Sequence, residues 1–448
     1  MQRMAWGSGS SRGVLLALVC LLLVAPVVAT AANTPSVVQR ARAARSLDDV
    51  LTLLFAAPGP LARGEREVVQ RAIALTPSSR NELRSRLEAR ALLADSRAAK
   101  KVGRTRAELL AVRPYASPFR VAALLPDSGD YRDYGDAMRH ALAAGLATSR
   151  LPLDLVAHGT GDDDAPRTAD ALAAASQECG LVVGELLSVP TRALATATRF
   201  MGVPLVSPSA TDESIGRIGP NVFQVGPAQR ERALVLARAM FAGKAQRYAV
   251  VASQSAMRGE LVRAFCAEAD SLGAKLVRRE PYGSGTLDFR MFARSVRAAG
   301  AEVVLWDGEP REAEALVRAL ATEGVGVKLC GGDNLAPDQY HSGARMLLEG
   351  VIYVGEDWRL MPPAQATLDS LARAAGDKPG ALWTRGWLAG RRIAAAIDAG
   401  ARTPGELAAQ LRHRDGALRA AGMLDCALDG ARLPVYVVKR GKAVEWRP

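Results

Sequence analysis

Histidine and cysteine, the residues most typical of catalytic and transition-metal sites, are scarce in this chain. It has four histidines and five cysteines in 448 residues, the cysteines form no C-x-x-C pair, and the histidines are far apart in sequence. Downstream of residue 31 there is no H-E-x-x-H, G-x-S-x-G, P-loop or Rossmann fingerprint. These absences argue against hydrolases and nucleotide-dependent enzymes. We therefore expect no enzymatic activity, no metal ion and no cofactor.

Aromatic residues are also few, at 5% of the chain, although the formal net charge is +12. Two thirds of that excess lies early in the chain, since residues 34–113 hold 16 basic and 8 acidic side chains, a net charge of +8. A basic segment without interleaved aromatic residues does not indicate nucleic-acid binding. Two interpretations stay open for it: a helical extension with a solvated basic face, which we favour, or a docking module for anionic lipid or cell wall.

The first 31 residues have the pattern of an export signal. Arg3 and Arg12 precede an apolar run from Val14 to Val28, and Ala29-Thr30-Ala31 is an A-x-A cleavage site. The run is short for a membrane span and ends in small residues, as secretory signal peptides do. We predict a signal peptide over residues 1–31, cleavage near Ala31 and a periplasmic protein.

A helical segment is predicted for residues 32–113, followed by a stiff linker at 114–118. Ser79 and Glu82 have the spacing of a capping box, and Pro77 precedes them. The helices predicted in this segment cover about Ser46 to Phe55, Glu65 to Leu75, Ser79 to Ala94 and Thr105 to Val112.

Four cysteines follow the helical segment, at positions 179, 266, 330 and 426. They lie in or beside apolar stretches, which favours buried thiols.

From Phe119 onward, short apolar runs alternate with helical patterns, which predicts parallel sheets covered by helices on both faces. The runs fall into two sets, and each set predicts one lobe. The predicted strands are Phe119–Leu125, Leu153–Ala157, Leu181–Val183, Pro204–Val206 and Val222–Val225, then Tyr248–Ala252, Lys275–Glu280, Val303–Trp306, Lys328–Cys330 and Val351–Val354.

The most informative stretch is Gly202 to Ser214, GVPLVSPSATDES. Here a buried strand is followed by hydroxyl groups and free backbone N–H groups. The strand Leu181–Val183 is likewise followed by a polar turn that ends at Ser188. Because small molecules bind at the carboxyl ends of strands in open α/β sheets, both turns are expected to face one ligand.

Read as a whole, LVVGELLSVPTRALATATRFMGVPLVSPSATDES resembles the leucine/isoleucine/valine-binding proteins, the amino-acid receptors of ABC importers. Further segments resemble that family in the same order. They are FRVAALLPDSGDYRDYG from Phe119, the Leu287-Asp288-Phe289 unit, and GMLDCALDGARLPVYVVKRGKAV from Gly422.

The resemblance implies the type I periplasmic-binding fold: two Rossmann-like α/β lobes joined by three crossings, with a small ligand trapped in the cleft by hinge closure. It places the crossings near Gly226, Glu356 and Ala421. Lobe 1 would comprise residues 119–226 and 357–421, and lobe 2 residues 227–356 and 422–448. The implied partners are an amino acid or related small polar metabolite and an ABC permease of the inner membrane.

The resemblance also implies a binding site. Ser188 and the Ser209-Ala210-Thr211 turn would hold a ligand carboxylate, Asp333 would face an ammonium group, and Tyr134 would wall the pocket. For Ser188, Ser209 and Asp333 an ordinary turn or cap role stays open.

Two loops of the second lobe depart from the family pattern, and we include one residue of each in the predicted site. They are Met257, in Ser255-Ala256-Met257-Arg258-Gly259, and Glu309, in Asp307-Gly308-Glu309-Pro310. The departures put a branched-chain amino acid in doubt. They keep open a ligand-independent scaffold or regulator of the cell envelope, similar to the penicillin-binding-protein activators, which also join a helical region to this fold.

Overall fold

The computed structural model of this protein describes residues 35–56, 59–162, 164–243 and 246–446. The predicted signal peptide lies outside these residues. Among the helices that are described, none combines the length and the apolar character needed to span a bilayer.

The N-terminal segment folds into six described helices. Capping boxes start three of them, at Ser36, Ser46 and Thr105, where a side-chain oxygen accepts from the backbone N–H three residues on. The box predicted at Ser79 is wrong: that helix begins after Arg80, and the Glu82 carboxylate instead accepts a 2.6 Å hydrogen bond from the Thr403 hydroxyl. The helices are α1 Val37–Ala43, α2 Leu47–Leu54, α3 Glu65–Leu75, α4 Asn81–Leu93, α5 Ser96–Lys101 and α6 Arg106–Ala111.

The first sheet has five parallel strands in the order β2-β1-β3-β4-β5. Its central strands β1 and β3 are buried on both faces, as their continuous apolar runs predict. Ser117 and Pro118, expected in a linker, already belong to β1. The elements are β1 Ser117–Leu125, α7 Arg132–Leu146, β2 Asp154–Gly159, α8 Ala165–Glu178, β3 Cys179–Gly184, α9 Ser188–Met201, β4 Leu205–Ser207 and β5 Val222–Gln224.

The second sheet has seven strands in the order β12-β11-β10-β9-β8-β6-β7, and only β11 and β12 run antiparallel to their neighbours. Trp306, on β8, is fully buried in its core. The elements are α10 Gln229–Phe241, β6 Arg247–Ser253, α11 Glu260–Ser271, β7 Lys275–Tyr282, α12 Arg290–Ala298, β8 Val303–Asp307, α13 Pro310–Thr322, β9 Lys328–Gly331, α14 Ser342–Arg345, β10 Ile352–Val354, β11 Val435–Lys439 and β12 Lys442–Glu445.

Four helices lie between β10 and β11: α15 Pro362–Ala374, α16 Ala381–Asp398, α17 Pro404–Leu411 and α18 Gly416–Ala420. Helix α16 packs against α7 of the first sheet, with Gly145 and Gly390 at the crossing. A Cβ atom on either glycine would overlap the backbone of the other helix, which is why small residues stand there. The chain therefore returns to the first sheet after β10 and leaves it again before β11.

The three connecting segments contact one another. Gln224 forms an isolated bridge with Met423, and the indole Nε1 of Trp358 donates a 2.9 Å hydrogen bond to the Val225 carbonyl. The predicted α/β fold with two parallel sheets is confirmed, and each of the ten predicted strands is present with ends shifted by at most two residues. The exact lobe boundaries given above stay a prediction.

The helical segment is packed against the first sheet's side of the molecule. Arg402, in the loop between α16 and α17, pairs with both carboxylate oxygens of Asp48, at 2.6 and 2.7 Å. Arg80 pairs in the same way with Glu406. Leu51, Leu83 and Phe119 belong to one continuous buried cluster. The segment is therefore a structural part of this half and not a detached extension.

Candidate functional site

A cavity of about 300 Å³ lies where the carboxyl ends of the two sheets approach each other. Residues after β4 line one side, residues after β8 and β9 line the other, and the three connecting segments form its floor. Such crevices at strand ends are the usual ligand sites of α/β sheets. The lining consists of Ala210, Thr211, Glu213, Gln224, Gly226, Pro227, Ala228, Gln229, Arg232, Leu261, Asp307, Gly332, Asp333, Asn334, Glu356, Arg385 and Met423.

The loop after β4 is held by its own polar groups. The Ser209 hydroxyl donates to the Leu186 carbonyl at 2.9 Å, and the Ser207 hydroxyl accepts from the Ala210 N–H at 3.3 Å. The Gln224 amide donates to the carbonyl of Asp212 at 3.1 Å. These bonds leave Thr211 as the residue of the loop whose hydroxyl and backbone N–H make no hydrogen bond within the described chain, and Thr211 lines the cavity.

On the opposite side, Asp333 is already paired. Arg232, on α10, donates from Nη1 to Asp333 Oδ1 at 2.8 Å and from Nη2 to the Glu356 carbonyl at 2.9 Å. The Arg232 side chain is only 10% exposed, so its charge needs a partner near at hand. Asp333 supplies that partner, which leaves its carboxylate less available to a ligand.

Asp307, at the end of β8, lines the same cavity but, unlike Asp333, has no ion-pair partner in the described chain. Its half-buried carboxylate makes no hydrogen bond or ion pair with any residue that the structure describes. Burial, together with the negative charges of Asp333 and Glu309, raises the pKa of Asp307 to about 6. Glu356 also lines the cavity, but it is exposed to solvent and does not need a protein partner. Asp307 is therefore the acid best placed for a cationic group.

Arg385 brings a second cation to the cavity wall from the beginning of α16. Its Nε donates to Asp357 Oδ1 at 2.5 Å, and its Nη1 donates to the Ser209 carbonyl at 3.4 Å. The guanidinium charge is thus balanced by Asp357, while the second bond steadies the loop after β4. Nearby, the Glu213 carboxylate accepts from the Gln229 N–H at 2.5 Å, so it joins the two sides of the cavity.

Three of the eight predicted site residues, Ala210, Thr211 and Asp333, come together in this cavity. Ser209 adjoins them, but its hydroxyl is bound to Leu186. Ser188 is the first residue of α9, and its hydroxyl accepts from the Asp212 N–H at 3.3 Å.

The other three lie outside the cavity lining. Tyr134 is 57% exposed near Tyr131. Met257 packs against the large core cluster, and Glu309 precedes α13, where its N–H donates to Glu312. Ligand contacts of all eight stay predictions.

Sequence reasoning missed Arg232, Arg385 and Asp307 as site residues. Asp307 stood in the departing Asp307-Gly308-Glu309-Pro310 loop, so the unusual sequence there was a usable signal. The two arginines lie inside helices without any local motif. Their position at the cavity depends on the packing of α10 and α16, which no short pattern encodes.

A separate group, His158, Glu178 and Cys179, brings three metal-type ligand atoms within 4.8 Å of one another. Glu178, however, accepts a 2.7 Å bond from Arg120, which also pairs with Asp154. Burial and the charge of Glu178 raise the pKa of the Cys179 thiol to about 12. A protonated thiol beside a neutralised carboxylate is a poor metal site, so this group is better described as a charge network.

Comparison with known proteins gives a consistent result. A family model described as periplasmic binding protein matches residues 118–423. An amino acid binding protein of Pseudomonas aeruginosa is 27% identical over 237 residues, which are 52% of this chain and 63% of that protein. Leu/Ile/Val-binding protein homolog 3 of Brucella melitensis is 25% identical over 267 residues, 56% of this chain and 71% of that protein.

Solved structures share the fold at lower identity. A branched-chain amino acid ABC transporter protein from Rhodospirillum rubrum has a TM-score of 0.56 at 18% identity, covering 73% of this chain and 99% of that one. An ABC transporter substrate-binding protein from Desulfitobacterium hafniense has a TM-score of 0.52 at 19% identity, with the same coverage. These likenesses confirm the predicted type I periplasmic-binding fold for the part of the chain after the helical segment.

Proposed function

This chain belongs to the periplasmic binding protein family, and on that premise we propose that it is the periplasmic substrate-binding protein of an ABC importer. Its ligand would be an amino acid or a related small polar metabolite, bound in the cavity between the two sheets. An ABC permease of the inner membrane would then receive the ligand. The named relatives, which include an amino acid binding protein, support this assignment.

The unpaired carboxylate of Asp307 is the observation that carries the proposal. A partly buried acid without a protein partner is costly unless a cation reaches it. An ammonium group of the ligand would be that cation. Across the cavity, the free hydroxyl and N–H of Thr211 are donors suited to a carboxylate. Together they match the two charges of a zwitterion.

The surroundings favour a polar ligand. Arg232 and Arg385 are balanced by Asp333 and Asp357, so neither adds a free charge to the cavity. Leu261 and Met423 are the two large aliphatic or thioether side chains in the cavity lining. A cavity of about 300 Å³ lies at the small end of ligand pockets. Capture by the loop after β4, followed by closure of the other half about the three connecting segments, would enclose such a molecule.

A thermal-shift panel tests the proposal. The purified chain from residue 34 would be unfolded and refolded to strip any bound ligand, then heated with single amino acids, short peptides and small carboxylates. A ligand at a hundred times its dissociation constant stabilises the native state by about 2.7 kcal/mol, which is readily detected. A hit with an amino compound, lost in Asp307→Asn, is expected. A flat panel would contradict the receptor role and favour the scaffold that resembles penicillin-binding-protein activators.

We also propose that residues 34–113 contact an anionic surface of the cell envelope, either lipid or cell wall. Their excess of basic side chains supports such a contact.

A further inference from the structure

Five basic residues lie within ten consecutive positions, 97–106, around the turn between α5 and α6: Arg97, Lys100, Lys101, Arg104 and Arg106. All five are exposed, and none makes a hydrogen bond or an ion pair through its side chain within the described chain. We call residues 97–106 the basic turn. On α5, the spacing of three and four residues places Arg97, Lys100 and Lys101 on one face.

The acidic residues beside the basic turn already have hydrogen-bond or ion-pair partners. Asp95 caps α5 and pairs with Arg66 at 2.8 Å, and Glu108 is held by the backbone and hydroxyl of Thr105. Elsewhere in the helical segment, eight of the other eleven arginines have a side-chain partner, and the exceptions are Arg40, Arg45 and Arg63. Arg90, for example, is fully buried and bonded to Glu65, and Arg80 is bonded to Glu406. The basic turn thus holds five of the eight cations of the segment that are exposed and make no side-chain hydrogen bond or ion pair in the described chain.

An apolar residue occupies the tip of the same turn. Val102 is 56% exposed and lies directly between Lys101 and Gly103, whose φ of +69° closes the turn. An exposed valine with cationic residues on both sides in the sequence does not suit a sugar polymer, which offers no apolar environment. It does suit a bilayer surface, where cations contact phosphates while an apolar side chain enters the headgroup region.

We propose that the basic turn docks on an anionic phospholipid bilayer, with its five cations against the phosphate groups and Val102 entering the interface. The proposal rests on the periplasmic location proposed above. Because Arg402 and Arg80 tie the helical segment to the first-sheet half, docking would hold the cavity beside the membrane that contains the permease. The partner is the lipid headgroup layer itself, not a particular membrane protein.

Vesicle co-sedimentation of the chain from residue 34 tests this proposal. Binding is expected to vesicles that contain phosphatidylglycerol, to be weak with pure phosphatidylcholine, and to fall with added salt. Each basic residue near such a surface contributes about a fivefold change in partitioning. The triple variant Lys100→Ser, Lys101→Ser, Arg104→Ser should therefore bind roughly a hundredfold more weakly.

A matched control removes the same charge elsewhere. Arg311, Arg373 and Lys378 are exposed and without ion pairs in the described structure, and their triple serine variant should keep most of the vesicle affinity. Equal losses in both triple variants would overturn the proposal, since net charge alone would then explain binding. Binding to isolated cell wall but not to vesicles would also overturn it.

Entry of Val102 into the bilayer interface can be measured separately. The described native cysteines are buried, so a cysteine introduced by Val102→Cys can be labelled selectively with a polarity-sensitive fluorophore. The emission should shift to shorter wavelength on anionic vesicles, and no shift would contradict entry of this residue into the interface. Small-molecule binding, measured separately by thermal shift, should be the same in the triple variant and the wild type, so failure of one proposal is distinguishable from failure of the other.

Discussion

Arg232 Nη1 lies 2.8 Å from Asp333 Oδ1 in the wall of the cavity, and this pair decides which acid is available to a ligand. Asp333 follows the strand whose end, by family resemblance, would face an ammonium group. Since its charge is balanced by Arg232, our proposal assigns that position to the neighbouring Asp307. The proposed choice between the two acids therefore depends on a contact between residues 101 positions apart.

Asp307→Asn should abolish most binding of an amino-cation ligand while leaving the fold intact. Losing one partner of a desolvated charge pair costs about 2–5 kcal/mol, so affinity should fall at least thirtyfold. Isothermal titration with the ligand found in the thermal-shift panel measures this. Asp170→Asn is the comparison, since Asp170 is exposed on α8, lies outside the cavity lining and should change affinity little.

Asp333→Asn should behave differently. It leaves the buried Arg232 without its ion-pair partner, so we expect a clear loss of stability to urea, about 2–4 kcal/mol, with a smaller change in ligand affinity measured on the folded fraction. If Asp333→Asn removed binding and Asp307→Asn did not, the roles assigned to these two acids would be reversed.

Ligand affinity should depend on pH through Asp307. Its pKa is raised to about 6, and only the ionised form attracts an ammonium group. Affinity should therefore be constant above about pH 7 and fall progressively as the pH drops through 6. Titrations between pH 5 and 8 measure the profile, and Asp307→Asn should flatten it. A wild-type affinity that is unchanged at pH 5 would contradict the role of this carboxylate.

Glu231 should make stability depend on pH in the opposite sense to an ordinary ion-paired acid. It is buried at the start of α10, accepts a 3.1 Å bond from the Ala228 N–H and lies 3.8 Å from His413. Burial raises the pKa of Glu231 to about 8, helped by the charge of Asp425. The native state therefore keeps a proton that the unfolded chain releases, and stability must fall as the pH rises toward 8.

The measurable window runs from about pH 6.5 to 8. Below it His413, whose pKa is lowered by burial, adds the reverse dependence, because the unfolded chain then binds the extra proton. Urea denaturation of the wild type should show stability decreasing across this window. Glu231→Gln keeps the oxygen that accepts from the Ala228 N–H and should remove the decrease. In the wild type, the release of one proton on unfolding lowers the free energy of unfolding by about 1.4 kcal/mol for each pH unit. An identical slope in the variant would rule out Glu231 as its source.

The strands were predictable because their signal is local. Apolar runs such as those around Val121, Val182 and Val304 are enough to indicate buried parallel strands, and turn residues mark their ends. The short helices Val37–Ala43 and Ser96–Lys101 were missed because they bury little: the first has only Ala41 buried and the second has no buried residue, so neither shows an apolar face. Ser79 failed as a cap because Glu82, its expected partner, bonds to Thr403, which is 321 residues away.

The site was predictable only in part for the same reason. The sequence locates strand ends, so Thr211 and Asp333 were placed in the cavity. Which polar group is then free for a ligand depends on residues distant in sequence. The Ser209 hydroxyl donates to the Leu186 carbonyl, and Asp333 is paired with Arg232. These partners come from other elements, and no spacing rule connects them to the motif.

Arg402→Ala should show that the helical segment stabilises the first-sheet half. The Arg402 side chain is 3% exposed, pairs with both oxygens of Asp48 and donates to the Ala401 carbonyl at 2.7 Å. Its loss lets water reach the partly exposed Asp48 but leaves the buried Ala401 carbonyl without its donor, and an unsatisfied buried acceptor costs about 1–3 kcal/mol. The urea midpoint should drop accordingly. The control is Arg412→Ala, at an exposed site without an ion pair in the described chain, which should change stability by less than about 0.5 kcal/mol.

Ligand affinity of the folded Arg402→Ala protein should equal that of the wild type, because Asp48 and Arg402 lie outside the cavity lining. If both arginine variants had equal stability, the helical segment would be a loosely attached extension, and docking of the basic turn could no longer position the binding cavity.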